Sequence, residues 1–283
     1  MLVEENLPLE FQANGGWDPR FHVAKCGDLV RSYLIESRRF LVVYDTLLGP
    51  KSGGWLRQEA ERLAQGRPIV VVTSHADWDH YFGNQCFEDR LIVGSRPCHA
   101  RVAGTVGQSE LEKKRAEHPA CYANVRLVAP NMLLDGSGLL DGGDLTFQLL
   151  PTTGHRPDHL ALYIPECSTL LPGDCVEDPI PLVDEDSDFA DNTVEKLCQS
   201  LRLMLKLQPE WVLANHATPE RGTARLRSNL QYLQNLQQAA LAAGSLEELQ
   251  RQVPADSSWG DFYRQAHSAQ VRMAWEQRKT IPR

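Results

Sequence analysis

Four side chains able to bind a metal, His75, Asp77, Asp79 and His80, fall within six positions of the segment TSHADWDHYFGN. Their imidazole nitrogens and carboxylate oxygens are good donors to a divalent ion. The spacing i, i+2, i+4, i+5 does not share a helix face, yet at a strand-to-loop corner the four can converge above the strand end. Two carboxylates buried so close together are costly unless cations neutralise them. For this run alone, a polar loop after a strand is the plainer alternative.

Three later segments repeat the setting. His155 follows a Gly turn in PTTGHRPDHL, Asp174 sits in LLPGDC, and His216 ends EWVLANH. Metal-capable residues therefore recur at strand ends, and a layered α/β fold would gather those ends along one edge.

The elements that must position them are legible in outline. VRSYLIES and RFLVVYDT read as a hairpin, RPIVVVTS as a strand, and LLDGSGLLDGGDLTFQLLPTTGH as two or three strands with Gly-Asp turns. A helix is predicted from Gly54 to Gln65, and a polar helical stretch from Arg101 to His118. Val194, Leu197, Leu201 and Leu205 mark an amphipathic helix. After His216 the chain turns helical: a segment stopping at Gly244, then a capping box at Ser245 and Glu248, then a last helix with Phe262, Ala266, Ala269 and Met273 on one face. The predicted organisation is a catalytic domain over 1–222 and a helical extension over 223–283 packed on it.

Composition narrows the classes. The 283 residues are 42% hydrophobic and 23% charged, ordinary for a globular protein with a sizeable core. A net charge of −8 disfavours a nucleic-acid partner. The sequence carries no apolar run of bilayer length and no secretory signal, so no membrane partner is expected. Seven cysteines without a CxxC pair read as free thiols of a reducing compartment, and the cytoplasm is the expected location. A homodimer is compatible with the sequence.

From about Arg31 to Pro219 the chain resembles the metallo-β-lactamase superfamily. SHADWDH matches its His-x-His-x-Asp-His signature, TTGHRPDHLALY its Thr-Pro-Gly-His element, LPGD its bridging aspartate and ANHATP its final histidine element. VRSYLIE with VVYDTLLGP looks like the family's opening hairpin, and Gly83-Asn84 like the turn after its motif. The resemblance implies an α/β fold, the four-layer αββα sandwich, here with a helical C-terminal extension. It assigns one metal to His75, Asp77 and His155, a second to Asp79, His80 and His216, and a bridging role to Asp174. Two divalent ions are implied, zinc first, with iron or manganese as alternatives. The implied function is hydrolysis of an ester, lactone, thioester or amide-type small molecule by a metal-bridging hydroxide, with Asp79 and His80 at the catalytic centre.

Asp77 departs from the family pattern, since most members carry histidine there. Three readings stay open: an oxygen-rich first site that favours iron or manganese, a weakened site with one tightly held ion, or a member that binds without catalysis. The superfamily's diiron oxidoreductases carry glutamate at this step, but this chain has no flavodoxin-like second half.

Other candidates are weaker. His159 is either a partner orienting a ligand or a hydrogen-bonded sheet residue. Cys175 next to Asp174 reads as packing rather than as a nucleophile. Seven acidic residues from Glu177 to Asp191 could line the pocket mouth and disfavour polyanionic substrates, or face solvent. Gln12–Arg20 with Trp17, and the helix at Glu110–His118, are candidate walls. His22, His99, His118 and His267 read as surface or satisfied core residues, although His267, with Tyr263 and Trp275, lies on a helix that could fold back over the site.

Overall fold

The computed structural model describes residues 7–183 and 194–278. They form two compact units, one running to Pro151 and resuming over Asp158–Leu171, the other comprising Thr152–Pro157 and the chain from Pro172 onward.

In the first unit, β1 (Leu9–Gln12), β2 (Phe21–Cys26), β3 (Val30–Glu36), β4 (Leu41–Tyr44), β5 (Ile69–Val72), β6 (Leu91–Ser95) and β7 (Met132–Leu134) lie side by side in chain order. β1 to β4 pair antiparallel, including the expected hairpin, where Glu36 faces Leu41 and Tyr33 faces Tyr44. From β4 to β7 the pairing is parallel. Parallel strands covered on both faces read as unbroken apolar runs. LVVY in β4 and IVVV in β5 are such runs, and every one of their residues is buried. Each such side chain contributes roughly 1.5–3 kcal/mol, which fixes β5 inside the sheet and its last residue at the sheet edge.

β8 (Gly138–Asp141), β9 (Thr146–Pro151), β10 (Leu160–Ile164) and β11 (Thr169–Leu171) form an antiparallel meander. The two strand sets of this unit touch through Tyr44, whose hydroxyl donates to Leu160 O at 2.9 Å, and through the Phe40 and Phe147 rings.

The unit's helices are α1 (Pro50–Ala64), α2 (Trp78–Tyr81), α3 (Arg96–Ala103), α4 (Thr105–Glu117) and α5 (Pro119–Tyr122). α1 starts four residues before the expected Gly54, because Pro50 supplies the preset φ of a first helical turn. Glycines 53 and 54 would weaken that turn in isolation. A Cβ at Gly53, however, would stand 2.8 Å from Gly83 Cα, so the small residue permits backbone contact. The polar stretch Arg101–His118 is not one helix. It breaks at Gly104, which ends α3 and caps α4.

The second unit contains α6 (Val194–Lys206), the paired strands β12 (Trp211–Val212) and β13 (Glu220–Arg221), α7 (Ala224–Ala242), α8 (Leu246–Gln252) and α9 (Asp261–Gln277). α6 buries Val194, Leu197, Leu201 and Met204, so Met204 takes the place expected for Leu205. Ser245 caps α8 by accepting from Glu248 N, and Glu248 Oε2 in return accepts from Gly244 N. α9 presents His267, Gln270, Val271 and Ala274 inward, whereas Phe262 is exposed. Of the apolar face expected from Phe262, Ala266, Ala269 and Met273, Ala269 is buried, Ala266 and Met273 are partly buried and Phe262 is exposed, so the face is rotated to take in polar His267 and Gln270.

No helix among the described residues is long and apolar enough to cross a membrane. All seven cysteines are free thiols.

Candidate functional site

β5 ends at Val72 and the chain stays extended through Asp77. Leu160 N donates to Ser74 O at 2.8 Å, and Ala76 N donates to Asp158 Oδ2 at 2.7 Å, which holds the extended path. Asp77 is the N-cap of the one-turn helix α2, so Asp79 and His80 step onto helical backbone. That switch from extended to helical converges the four donors. The His75 and His80 rings lie 4.2 Å apart, His75 Nε2 is 3.5 Å from Asp77 Oδ2, and His80 Nε2 is 3.7 Å from Asp79 Oδ1. All four residues are buried. Gly83 in the following turn seats the motif against β4's end, where a Cβ would be 1.9 Å from Thr46 O. Asn84, beside it, accepts from the Thr46 hydroxyl and donates to Val128 O.

Asp45, fully buried just past β4, fixes which imidazole nitrogens carry protons. Its carboxylate accepts from Ser74 N at 2.7 Å, from Ser74 Oγ at 2.8 Å and from His80 Nδ1 at 2.9 Å. The Ser74 hydroxyl spends its one proton on Asp45, so it accepts from His75 Nδ1 at 2.9 Å. Both rings therefore hold their proton on Nδ1 and direct the Nε2 lone pair toward the motif's carboxylates. A lone pair facing a carboxylate oxygen at 3.5–3.7 Å is repulsive unless a metal ion or a second ring proton lies between them. Two ligands at about 2.05 Å around a tetrahedral zinc ion would stand roughly 3.3 Å apart, close to that spacing.

Asp77 has a second partner. Arg101 on α3, nearly as buried as the motif, places a guanidinium nitrogen 3.2 Å from Asp77 Oδ1. α3 is anchored by Ser95, whose hydroxyl accepts from Cys98 N and donates to Asp158 O.

In the second unit, the turn 152–157 carries His155. Gly154 has a φ of 130°, and a Cβ there would lie 2.4 Å from Leu197 backbone, so only glycine fits. Ser200 Oγ donates to Thr153 O and fastens the turn to α6. His155 Nδ1 donates to Leu182 O at 3.0 Å, leaving Nε2 3.7 Å from Asp174 Oδ2. His216 Nε2 lies 3.2 Å from that same oxygen. His155, Asp174 and His216 are thus brought together around Asp174.

Glu177 joins this second group. It is buried, bridges to His216 through the backbone, and its own N and O pair with the Asn229 side chain. Burial pushes its carboxyl up to about 7; Asp174 adds to the rise, while His216, His155 and a hydrogen bond from Tyr263 oppose it. That hydrogen bond, at 3.0 Å, ties the first turn of α9 to Glu177.

The remaining candidates separate clearly. The His159 ring lies 5.0 Å from that of His75, so it packs on a motif imidazole. Cys175 is fully buried, its thiol donates to Thr152 O at 3.1 Å, and burial pushes its pKa well up, so it packs beneath Asp174. Trp17 is buried, at 4% exposure, and donates its indole N–H to Phe21 O. On α4, the Lys114 ammonium sits 4.2 Å over the ring of Trp78, the residue between Asp77 and Asp79. His267 is a satisfied core residue between the Tyr232 hydroxyl and Val253 O. His22 pairs with Glu36, and His99 with Pro130 O. Of the acidic run, Glu177 points inward and Asp178 pairs with Arg225, while positions 184–191 lie outside the described residues.

Sequence reasoning passed over Asp45, Arg101 and Asp158, and took Glu177 only as part of an acidic run. Asp45 had a usable signal, a lone acid ending an apolar strand. Arg101 had none, since it lies 24 positions beyond Asp77 on a helix that reads as polar surface.

The donor set, imidazole nitrogen and carboxylate oxygen with Nδ1 protons held away, fits divalent cations of borderline to hard character. Residues 27–216 match a profile described as the metallo-beta-lactamase superfamily. A human protein named acyl-coenzyme A thioesterase MBLAC2 is 27% identical over 168 residues, which is 54% of this chain and 60% of that protein. The chain thus spans less than two thirds of that relative's length. A metallo-beta-lactamase family protein from Thermus thermophilus superposes with a TM-score of 0.67 at 19% identity, covering 98% of this chain and 94% of that one. The sec-alkylsulfatase Pisa1 from Pseudomonas sp. gives a TM-score of 0.69 at 17% identity, over 92% of this chain and 49% of its own. At such identities the structural likeness speaks for the fold alone.

Proposed function

The chain belongs to the metallo-β-lactamase superfamily and has its αββα-sandwich fold with a helical C-terminal region; from that premise we propose that it is a dinuclear metal-dependent hydrolase of small-molecule acyl compounds. In this reading His75, Asp77 and His155 hold one ion, Asp79, His80 and His216 hold the other, and Asp174 bridges them. When bound, the ions supply an acidified water and polarise the acyl oxygen that gains charge. The chain's own residues set the geometry: Asp45 and Ser74 fix the rings of His80 and His75, and Leu182 O fixes that of His155. Asp79 orients the nucleophile.

The observation that carries the proposal is tautomeric. Three buried imidazoles each give Nδ1 to an acceptor and turn Nε2 toward a carboxylate oxygen at 3.5–3.7 Å, an arrangement that a cation held between them would favour. Among esters, lactones, thioesters and amides, the relative named a thioesterase makes the thioester the first substrate to try.

Purified protein should contain about two divalent ions per chain by mass spectrometry. It should also hydrolyse an acyl thioester, with activity abolished by a chelator and restored by zinc, manganese or iron. A panel holding a neutral N-acetylcysteamine thioester, an acyl-coenzyme A, a lactone and a phosphodiester resolves substrate charge. Absence of bound metal after supply in excess, or turnover indifferent to chelation, sinks the proposal.

A further inference from the structure

Asp174 and His216 belong to segments far apart in the chain, yet His216 Nε2 lies 3.2 Å from Asp174 Oδ2. Glu177, one short turn beyond Asp174, pairs with His216 in an isolated parallel bridge, and that backbone contact sets the spacing. A lone bridge has no ladder around it, since β12 ends at Val212, before His216 is reached. The helices after His216 supply the missing support. Asn229 on α7, 1% exposed, accepts from Glu177 N at 3.0 Å and donates to Glu177 O at 3.1 Å. An amide side chain thereby stands where a further strand would, its oxygen and nitrogen both spent on one residue's backbone. One turn earlier on the same helix face, Arg225 donates to Thr218 O at 2.8 Å and to Asp178 Oδ2 at 3.3 Å, joining the residues that follow both members of the bridge. On α9, the Tyr263 hydroxyl donates to Glu177 Oε2 at 3.0 Å, so the side chain, 2% exposed, is held as well.

We infer that Asn229 and Tyr263 are positioning residues that seat Glu177 and, through its bridge, hold His216 at the distance from Asp174 that a shared metal ion requires. The inference rests on the proposed metal-binding roles of Asp174 and His216. It goes beyond them, since it makes α7 and α9 supports of the metal centre. A donor held within about 0.5 Å of its binding geometry keeps its affinity, and one released from its supports loses it. Removing the Asn229 amide strands a buried N–H and a buried C=O of Glu177. The backbone relieves that by shifting, and the bridge to His216 shifts with it.

The test is stepwise zinc(II) titration of the whole chain against a chromophoric chelator, with the visible spectrum of the cobalt(II)-loaded protein as a second readout. His216→Ala first identifies the ion that depends on His216. Asn229→Leu keeps the branched outline of the side chain and removes both backbone partners. It should bind that ion about tenfold more weakly and leave the other near native affinity. The cobalt(II) absorption of the same site should shift as its ligand geometry relaxes. Tyr263→Phe removes one hydroxyl and should weaken the same ion by a smaller factor. Leu233→Ala opens a buried position one turn further along α7 that makes none of these hydrogen bonds. It should lower the melting temperature and leave zinc affinity native. Native affinity for the His216-dependent ion in either Asn229→Leu or Tyr263→Phe, or an equal loss in Leu233→Ala, overturns the inference. If Asn229→Leu does not fold without metal, Tyr263→Phe carries the test. Wild-type protein with no ion that depends on His216 would instead sink the dinuclear reading beneath it.

Discussion

Replacing Asp45 with asparagine keeps the volume of a side chain that is 1% exposed but alters what it can accept. The carboxylate now accepts three hydrogen bonds, from Ser74 N, Ser74 Oγ and His80 Nδ1. If the new amide oxygen keeps Ser74 N, its NH2 faces the Ser74 hydroxyl and His80 Nδ1, both of which donate in the native protein. His80 relieves that clash by moving its proton to Nε2, where it occupies the lone pair a cation needs. Partners of this kind are worth roughly 10–100-fold in metal affinity, about 1.4–2.7 kcal/mol. Two charge-assisted hydrogen bonds are also lost, at about 1.5–3 kcal/mol each, so metal-free stability should fall by about 3 kcal/mol or more. That corresponds to a melting temperature lower by about 6–12 °C. Competitive zinc titration and calorimetric melting of both proteins measure the two effects. A variant that binds both ions with native affinity would refute the role given to Asp45 and the tautomer argument with it. Ser74→Ala, which removes one donor to Asp45 and the acceptor for His75 Nδ1, should show a smaller loss in the same direction.

Further outcomes follow from single contacts. Gly83→Ala places a methyl group 1.9 Å from Thr46 O and should cost about 3 kcal/mol or more, seen as a lower melting temperature; an unchanged melt would mean the turn is not packed as described. Cys175→Ser should leave turnover within a few-fold of wild type, because the thiol is buried, protonated and donates to Thr152 O; loss of activity with retained metal would make Cys175 a nucleophile. The Glu177 carboxyl is raised to about 7, chiefly by burial, so the folded metal-free protein binds a proton there that the unfolded chain releases nearer 4.5. Its stability should therefore be highest below that lower value and decline as pH rises through about 7. Glu177→Gln should flatten the decline in metal-free urea titrations, and parallel slopes in the two proteins would dismiss it.

Much of the site was legible because its signal is local. His75, Asp77, Asp79 and His80 sit within six positions, and the apolar run before them fixes where the strand ends, so residue type and spacing marked them as candidate donors. Gly154, required by its φ and by Leu197, likewise stands next to the histidine it positions. The periodicity of α6 was readable for the same reason, apart from Met204 taking the place of Leu205. The α9 face was misjudged because a helical pattern reports apolar side chains, whereas this helix buries His267 and Gln270.

What the sequence settled by itself was the inventory: which candidate donors exist, that they follow strands, and to which superfamily the chain belongs. What only the tertiary structure decided was their partners. Asp45 meets His80 across 35 positions, Arg101 meets Asp77 across 24, and Tyr263 meets Glu177 across 86. Strand and helix propensities act over a few neighbouring residues, whereas burial of a charge is decided by whatever the folded chain packs against it. The proton on a histidine and the counter-charge on an aspartate are therefore properties of the fold, and no reading of local pattern contains them.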